Sequence, residues 1–272
     1  MLGSILSNIL LVLGCCFFIG GIRYHEQSFS TTVASTMSSL LTIASASLII
    51  PAALASTLSS HDEHAGSSYE VLLLSRYTSI ILLAVYIMYL YFQLKSHGDF
   101  FEHSQEENDV EEQAGGEEER LLGPGAATVA LIIVTLLVAV CADYLVGSID
   151  SIVQKTGMSK TFIGLVLIPI VGNAAEHVTA VMVAWKNKME LAIGVAVGSS
   201  LQIALFVTPF LVILGWIVNV PMTLDFHTFE TAAFFISGLV VTFLIQDGKS
   251  NYLEGGLCLG MYVAIYPFHS YY

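Results

Sequence analysis

Gly172-Asn173-Ala174-Ala175-Glu176-His177 interrupts an apolar run of membrane length. Upstream stands Phe162-Ile163-Gly164-Leu165-Val166-Leu167-Ile168-Pro169, and downstream Val178-Thr179-Ala180-Val181-Met182-Val183-Ala184. A charged group at the bilayer centre costs roughly 2.5–3.5 kcal/mol on insertion scales, so one is rarely kept without a use. Pro169 and Gly172, just ahead of it, loosen the helix and free backbone carbonyls. A broken helix with a carboxylate at its break is how membrane transporters build cation sites. The hexapeptide therefore reads as part of an all-α membrane protein that moves ions.

Composition agrees. Of 272 residues, 55% are hydrophobic and 11% charged, and the mean hydropathy is +0.76. Soluble domains carry about a quarter charged residues, so the balance decides for the membrane. Cys15, Cys16, Cys141 and Cys258 lie in apolar stretches without metal spacing, and read as small buried hydrophobes. Residues 1–20 lack the basic leader of a cleavable signal. The net charge of −13 is concentrated: Asp99, Glu102, Glu106, Glu107, Asp109, Glu111, Glu112, Glu117, Glu118 and Glu119 fall in one linker.

Runs of near 20 apolar residues span a bilayer. They occur at about 2–20, 33–58, 71–94, 125–146, 161–184, 190–217, 229–245 and 252–268, which predicts about eight transmembrane helices. If each crosses once, Arg23, Lys95, Arg120, Lys186, Lys188 and Lys249 share one side, and Arg76, Lys155 and Lys160 the other. The basic majority marks the first side as cytoplasmic and places linker 96–122 there. Three parts result: residues 1–95, the acidic linker 96–122 and residues 123–272. Glu106, Glu107, Asp109, Glu111, Glu112, Glu117, Glu118 and Glu119 stand under two readings, a solvated spacer or a segment responsive to divalent cations.

An internal repeat is also legible. Gly3-Ser4-Ile5-Leu6-Ser7-Asn8-Ile9-Leu10-Leu11-Val12 aligns with Gly198-Ser199-Ser200-Leu201-Gln202-Ile203-Ala204-Leu205-Phe206-Val207. Ser7 stands opposite Gln202, and counting crossings makes the two copies run in opposite directions.

On a helix Asn173, Glu176, His177 and Ala180 share one face, as do Ser199 and Gln202 on the next. The short link Trp185-Lys186-Asn187-Lys188-Met189 forces the two helices into antiparallel contact. Glu176, Asn173, Ser199 and Gln202 then form an oxygen-rich set suited to a hard cation such as calcium. Zinc and copper are disfavoured by the lack of thiolate and the single imidazole. A carboxylate buried in this way can hold a proton or a divalent cation, and that competition is what antiport requires. His177 reads either as a proton relay for Glu176 or as a packed side chain. Asp143 is expected near a helix end, at the interface. Glu190, Asp225 and Glu230 are expected at helix ends, where a carboxylate is cheap. His61, His64, His97 and His103 fall in loops.

These residues resemble the calcium/proton exchangers of the cation/proton exchanger family, within the calcium/cation antiporter superfamily. Residues 172–177 are similar to the family's second signature repeat and residues 198–205 to its companion helix. Residues 2–14 are similar to the second helix of the first repeat, and the whole looks most like a fungal vacuolar member. The resemblance implies an inverted-repeat exchanger fold and calcium:proton antiport across a vacuolar membrane. Glu176 would be central, with Asn173, Ser199 and Gln202 contributing, and Ser4, Ser7 and Asn8 on the first-repeat counterpart helix. It also implies a first-repeat Gly-Asn-Ala-x-Glu helix ahead of residue 1, and none occurs in residues 1–170. The chain is accordingly expected to be an exchanger lacking its N-terminal part. The alternative is a non-transporting fragment that modulates, or needs, a complete exchanger. Expected companions are Ca2+, H+ and lipid, with a homo-oligomer or a chain supplying the first repeat. No cofactor, nucleic acid or enzymatic activity is expected, since HExxH and paired intramembrane aspartates are absent.

Overall fold

Helices that cross a bilayer must satisfy every backbone group internally, and here the apolar runs do so. In the computed structural model, residues 1–59, 66–96, 123–157, 159–226 and 228–265 are described. Linker residues 97–122 and all four loop histidines lie outside them.

Five helices are long and apolar enough to cross a membrane, and a bent pair makes up to six. Helix α1 is Leu2–Arg23 and carries a π-turn at Ser7–Val12. Helix α2 is Thr31–Ser59, and α3 is Gly66–Tyr91 continued by a π-turn at Phe92–Ser96. Helix α4 is Pro124–Thr156. The bent pair is α5 (Ile163–Gly172) and α6 (Ala174–Trp185), inclined by 59°. Helix α7 is Met189–Ile217 with a π-turn at Ile203–Val207. Two shorter apolar helices follow, α8 (Thr228–Leu244) and α9 (Tyr252–Ile265).

Among the described residues the eight apolar runs become helical, with one correction of length. Helix α4 continues past 146 to Thr156, where Gly157 (φ 73°) stops it in the left-handed conformation. Asp143 is thus well inside a helix and exposed, not at a helix end as expected. At 1.5 Å per residue α4 is about 50 Å long, more than a hydrocarbon core is thick. None of its apolar window is buried.

Helix α1 is the buried axis: Ile5, Ile9, Leu10, Leu13 and Phe17 are fully enclosed. Helix α9 approaches it on glycines, since a Cβ at Gly255 would overlap the Phe18 backbone nitrogen and one at Gly21 the Tyr252 nitrogen. Such close approach of backbones replaces the hydrophobic drive that lipid removes. Helices α2 and α8 pair on small and hydroxyl residues, with Thr42 and Thr242 joined at 3.4 Å.

The charges sort to two ends, as the count of Lys and Arg predicts. At one end the Arg23 guanidinium lies 4.7 Å from the Trp185 ring and donates to the Trp185 carbonyl. There too Gln27–Ser28 (β1) pairs antiparallel with Lys249–Ser250 (β2), and Lys249 binds Glu26 at 2.7 Å. The hydrogen bond to Glu26, and its charge, hold the Lys249 ammonium above its usual pKa. At the other end Arg76 stacks on Trp216 at 4.9 Å and Lys160 pairs with Asp150.

Candidate cation site

The helix break falls at Asn173, whose backbone (φ −97°, ψ 11°) leaves the α-region. Asn173 N–H still bonds the Pro169 carbonyl, and the Asn173 carbonyl accepts from His177 N–H, so the chain turns without losing those bonds. Asn173 thereby faces α1. Its Nδ2 donates to Ser4 Oγ (2.7 Å) and Asn8 Oδ1 (3.0 Å), while its Oδ1 accepts from Ser4 Oγ at 3.0 Å.

Asn8, 1% exposed, continues the network. Its Nδ2 donates to Ser199 Oγ at 2.8 Å, and Ser199 Oγ donates to Glu176 Oε2 at 2.9 Å. One residue earlier on α1, Ser7 Oγ and His177 Nε2 are 3.3 Å apart. An uninterrupted series of side-chain bonds thus joins α1, the break and α7, and ends on the Glu176 carboxylate. Polar groups buried among apolar helices cost several kcal/mol if left unpaired, so the pairing fixes how α1, α6 and α7 meet.

The aligned decapeptides stand in related places. Thr208 on α7 bonds Met1 Sδ, while Arg23 reaches Trp185 beside the start of α7. Helices α1 and α7 therefore run in opposite directions, as the repeat predicts. Both hold a π-turn that ends at the same alignment offset, at Val12 and Val207, the first beginning one residue earlier.

Glu176, Ser199 and Gln202 line one cavity of about 460 Å3, walled also by Tyr86, Tyr89 and Gln93 of α3. Asn173 is not among its lining residues. Its amide is spent on Ser4 and Asn8, so the structure separates it from the other three expected ligands. No group of three or more His, Cys, Asp or Glu able to hold a metal occurs among the described residues.

Glu190 is the lining residue that the sequence reading passed over. Its position at a helix start does hold, in the first turn of α7. The signal that marks it is the stripe Glu190, Gly194, Gly198, Gln202, spaced by four on α7. The acidic residues Glu106 to Glu119 lie outside the described residues.

Comparison with known proteins follows the same lines. The chain is 47% identical over 273 residues to the vacuolar calcium ion transporter of Schizosaccharomyces pombe, covering 100% of this chain and 64% of that protein. It is 43% identical to vacuolar cation/proton exchanger 3 of Oryza sativa subsp. japonica, over 97% of this chain and 63% of the relative. The chain thus spans a little under two thirds of the length of these curated relatives. The structure of native YfkE superposes with a TM-score of 0.79 at 34% identity, over 100% of this chain and 73% of that one. Residues 1–95 and 126–269 match the sodium/calcium exchanger protein family, and with these relatives beside it the chain belongs to that family.

Proposed function

We propose that this chain moves Ca2+ across a vacuolar membrane in exchange for H+, the two ions competing for Glu176. The observation that carries the reading is the Ser199–Glu176 hydrogen bond, set at a helix break and facing a cavity. The names of its relatives support it: a calcium ion transporter, cation/proton exchangers and a Ca2+/H+ antiporter.

The geometry suggests how the exchange would run. Ser199 O–H points at the carboxylate and Asn8 N–H holds the Ser199 oxygen. A calcium ion arriving from the cavity turns that hydroxyl, so that its lone pair joins the Glu176 oxygens and the Gln202 carbonyl. Calcium takes about 6–8 oxygens, and water completes the shell. Loss of the cation leaves the carboxylate to a proton, with His177, held by Ser7, one residue away. Because Asn173 and Asn8 tie the same network to α1, occupancy at Glu176 is felt by the helix that crosses it. Movement of α1 against α6 and α7 would then open the site to alternate sides.

A second reading has its own support. Glu176 is the one carboxylate in this hydrogen-bonded network among the described residues. On that reading the chain transports only with a companion that supplies a second acid. Reconstituted vesicles with a pH gradient decide the matter through uptake of radiolabelled calcium. Uptake by the 272-residue chain, lost in Glu176→Gln, supports antiport by this chain. Absence of uptake, restored by a companion segment from a complete exchanger, supports the second reading.

A further inference from the structure

The cavity that reaches Glu176 has a second acidic wall residue about 13 Å away along the α7 axis. Glu190 and Ser199 are nine residues apart, at 1.5 Å per residue. Both line the same space, so a single ion bound beside Ser199 cannot also be held by Glu190. Between them the floor is bare: a Cβ built on Gly194 or Gly198 meets no atom within 4 Å. Ser30 N–H, just ahead of α2, bonds Glu190, and the lining residues Val33 and Gln93 lie at the start of α2 and the end of α3, which puts Glu190 at that end of the cavity.

Both signs of charge gather at this end: Arg23, Lys95, Lys186, Lys188 and Lys249, with Glu26, Asp247 and Glu254 among the acids. A cleft with low-dielectric walls focuses the field of the charge it contains. Glu190 is the carboxylate that faces the cavity here, half-buried, with its Oε2 accepting from Ser30 N–H at 3.1 Å.

We propose that Glu190 is the outer carboxylate of the cation path, drawing a hydrated divalent cation into the cavity and over Gly194 and Gly198 to Glu176. The proposal rests on the antiport reading for its purpose, but its electrostatic content can be measured without transport. Glu190→Gln keeps an acceptor for the Ser30 N–H while removing the charge.

Two measurements on the reconstituted full chain decide it. A cysteine at Gly194 is titrated with a cationic and an anionic methanethiosulfonate of similar size, as rates above those of the parent chain. The cationic reagent is expected to react faster, by about threefold or more relative to a free thiol, with the preference lost in Glu190→Gln and weakened by salt. A preference that Glu190→Gln leaves unchanged overturns the proposal. In calcium uptake, Glu190→Gln is expected to raise the half-saturating concentration about threefold or more at low ionic strength, beyond any change in maximal rate, and Glu190→Asp to restore it. An unchanged half-saturation overturns the proposal and leaves the antiport reading standing. If the parent chain takes up no calcium, that reading fails, and the thiol rates still decide the role of Glu190.

Discussion

At the scale of single residues the site is a set of donors arranged around one acceptor. Asn8 is the residue on which most depends, because it accepts from Asn173 and donates to Ser199. Asn8→Ala strands both partners, at about 1–3 kcal/mol for each buried polar group left unpaired. The expected result is a lowered melting temperature in detergent together with weaker calcium uptake. Ser199→Ala removes the hydroxyl from Glu176 while leaving the fold's apolar contacts intact. Hydrogen bonds to charged groups are worth about 1.5–3 kcal/mol, so the half-saturating calcium concentration should rise about tenfold or more. Tracer uptake at varied calcium gives both numbers. Part of this was legible in the sequence, since helical spacing and the short link 185–189 put Glu176 toward Ser199 and Gln202, whereas His177 meets Ser7 on α1. The direction taken by Asn173 was not. Spacing places it on the Glu176 face, but the break at Asn173 turns its amide to Ser4, and a break angle is set by tertiary packing.

Among elements, the contact of α1 with α9 is the most demanding. Gly255 leaves no room for a side chain beside Phe18, whereas the neighbouring Gly256 faces open space. Gly255→Leu should therefore destabilise the helix pair by at least the ~1–3 kcal/mol of an overpacked core, while Gly256→Leu is tolerated. Thermal melting of the two variants in detergent, side by side, checks this. Hydropathy marked the helices among the described residues, but it misjudged α4. The apolar run ends near residue 146, and hydropathy cannot see that Asp143 to Lys155 continue as helix. Backbone hydrogen bonding carries the helix on to the Gly157 cap, and Asp150 meets Lys160 beyond it.

For the molecule as a whole, two kinds of end have physical meaning. Trp185 and Glu26 hold Arg23 and Lys249 at one, and Trp216 and Asp150 hold Arg76 and Lys160 at the other. Cysteines at the exposed positions His25 and Lys186 should react with an impermeant maleimide from the same face of a sealed vesicle. A cysteine at Val220 should react from the opposite face. Reaction of His25→Cys and Val220→Cys from one face would contradict this arrangement. The opposed run of α1 and α7 was foreseeable from the aligned decapeptides and a count of crossings. The bonds from Asn173 and His177 to the first copy were not, because nothing local to residues 3–12 names its partner.

The matched π-turns at Ser7–Val12 and Ile203–Val207 bear on how such chains can change length. Elsewhere in a bilayer-crossing helix, dropping one residue swings everything after it by about 100° and misplaces a whole flank. A π-turn already holds one residue beyond what an α-turn needs, so losing it there rewinds the coil and leaves both flanks aimed as before. Omission of Leu11 or of Phe206 should be survivable for the scaffold, where omission of Leu13 or Val212 is not. Natural length variation in these two helices should gather at those spots.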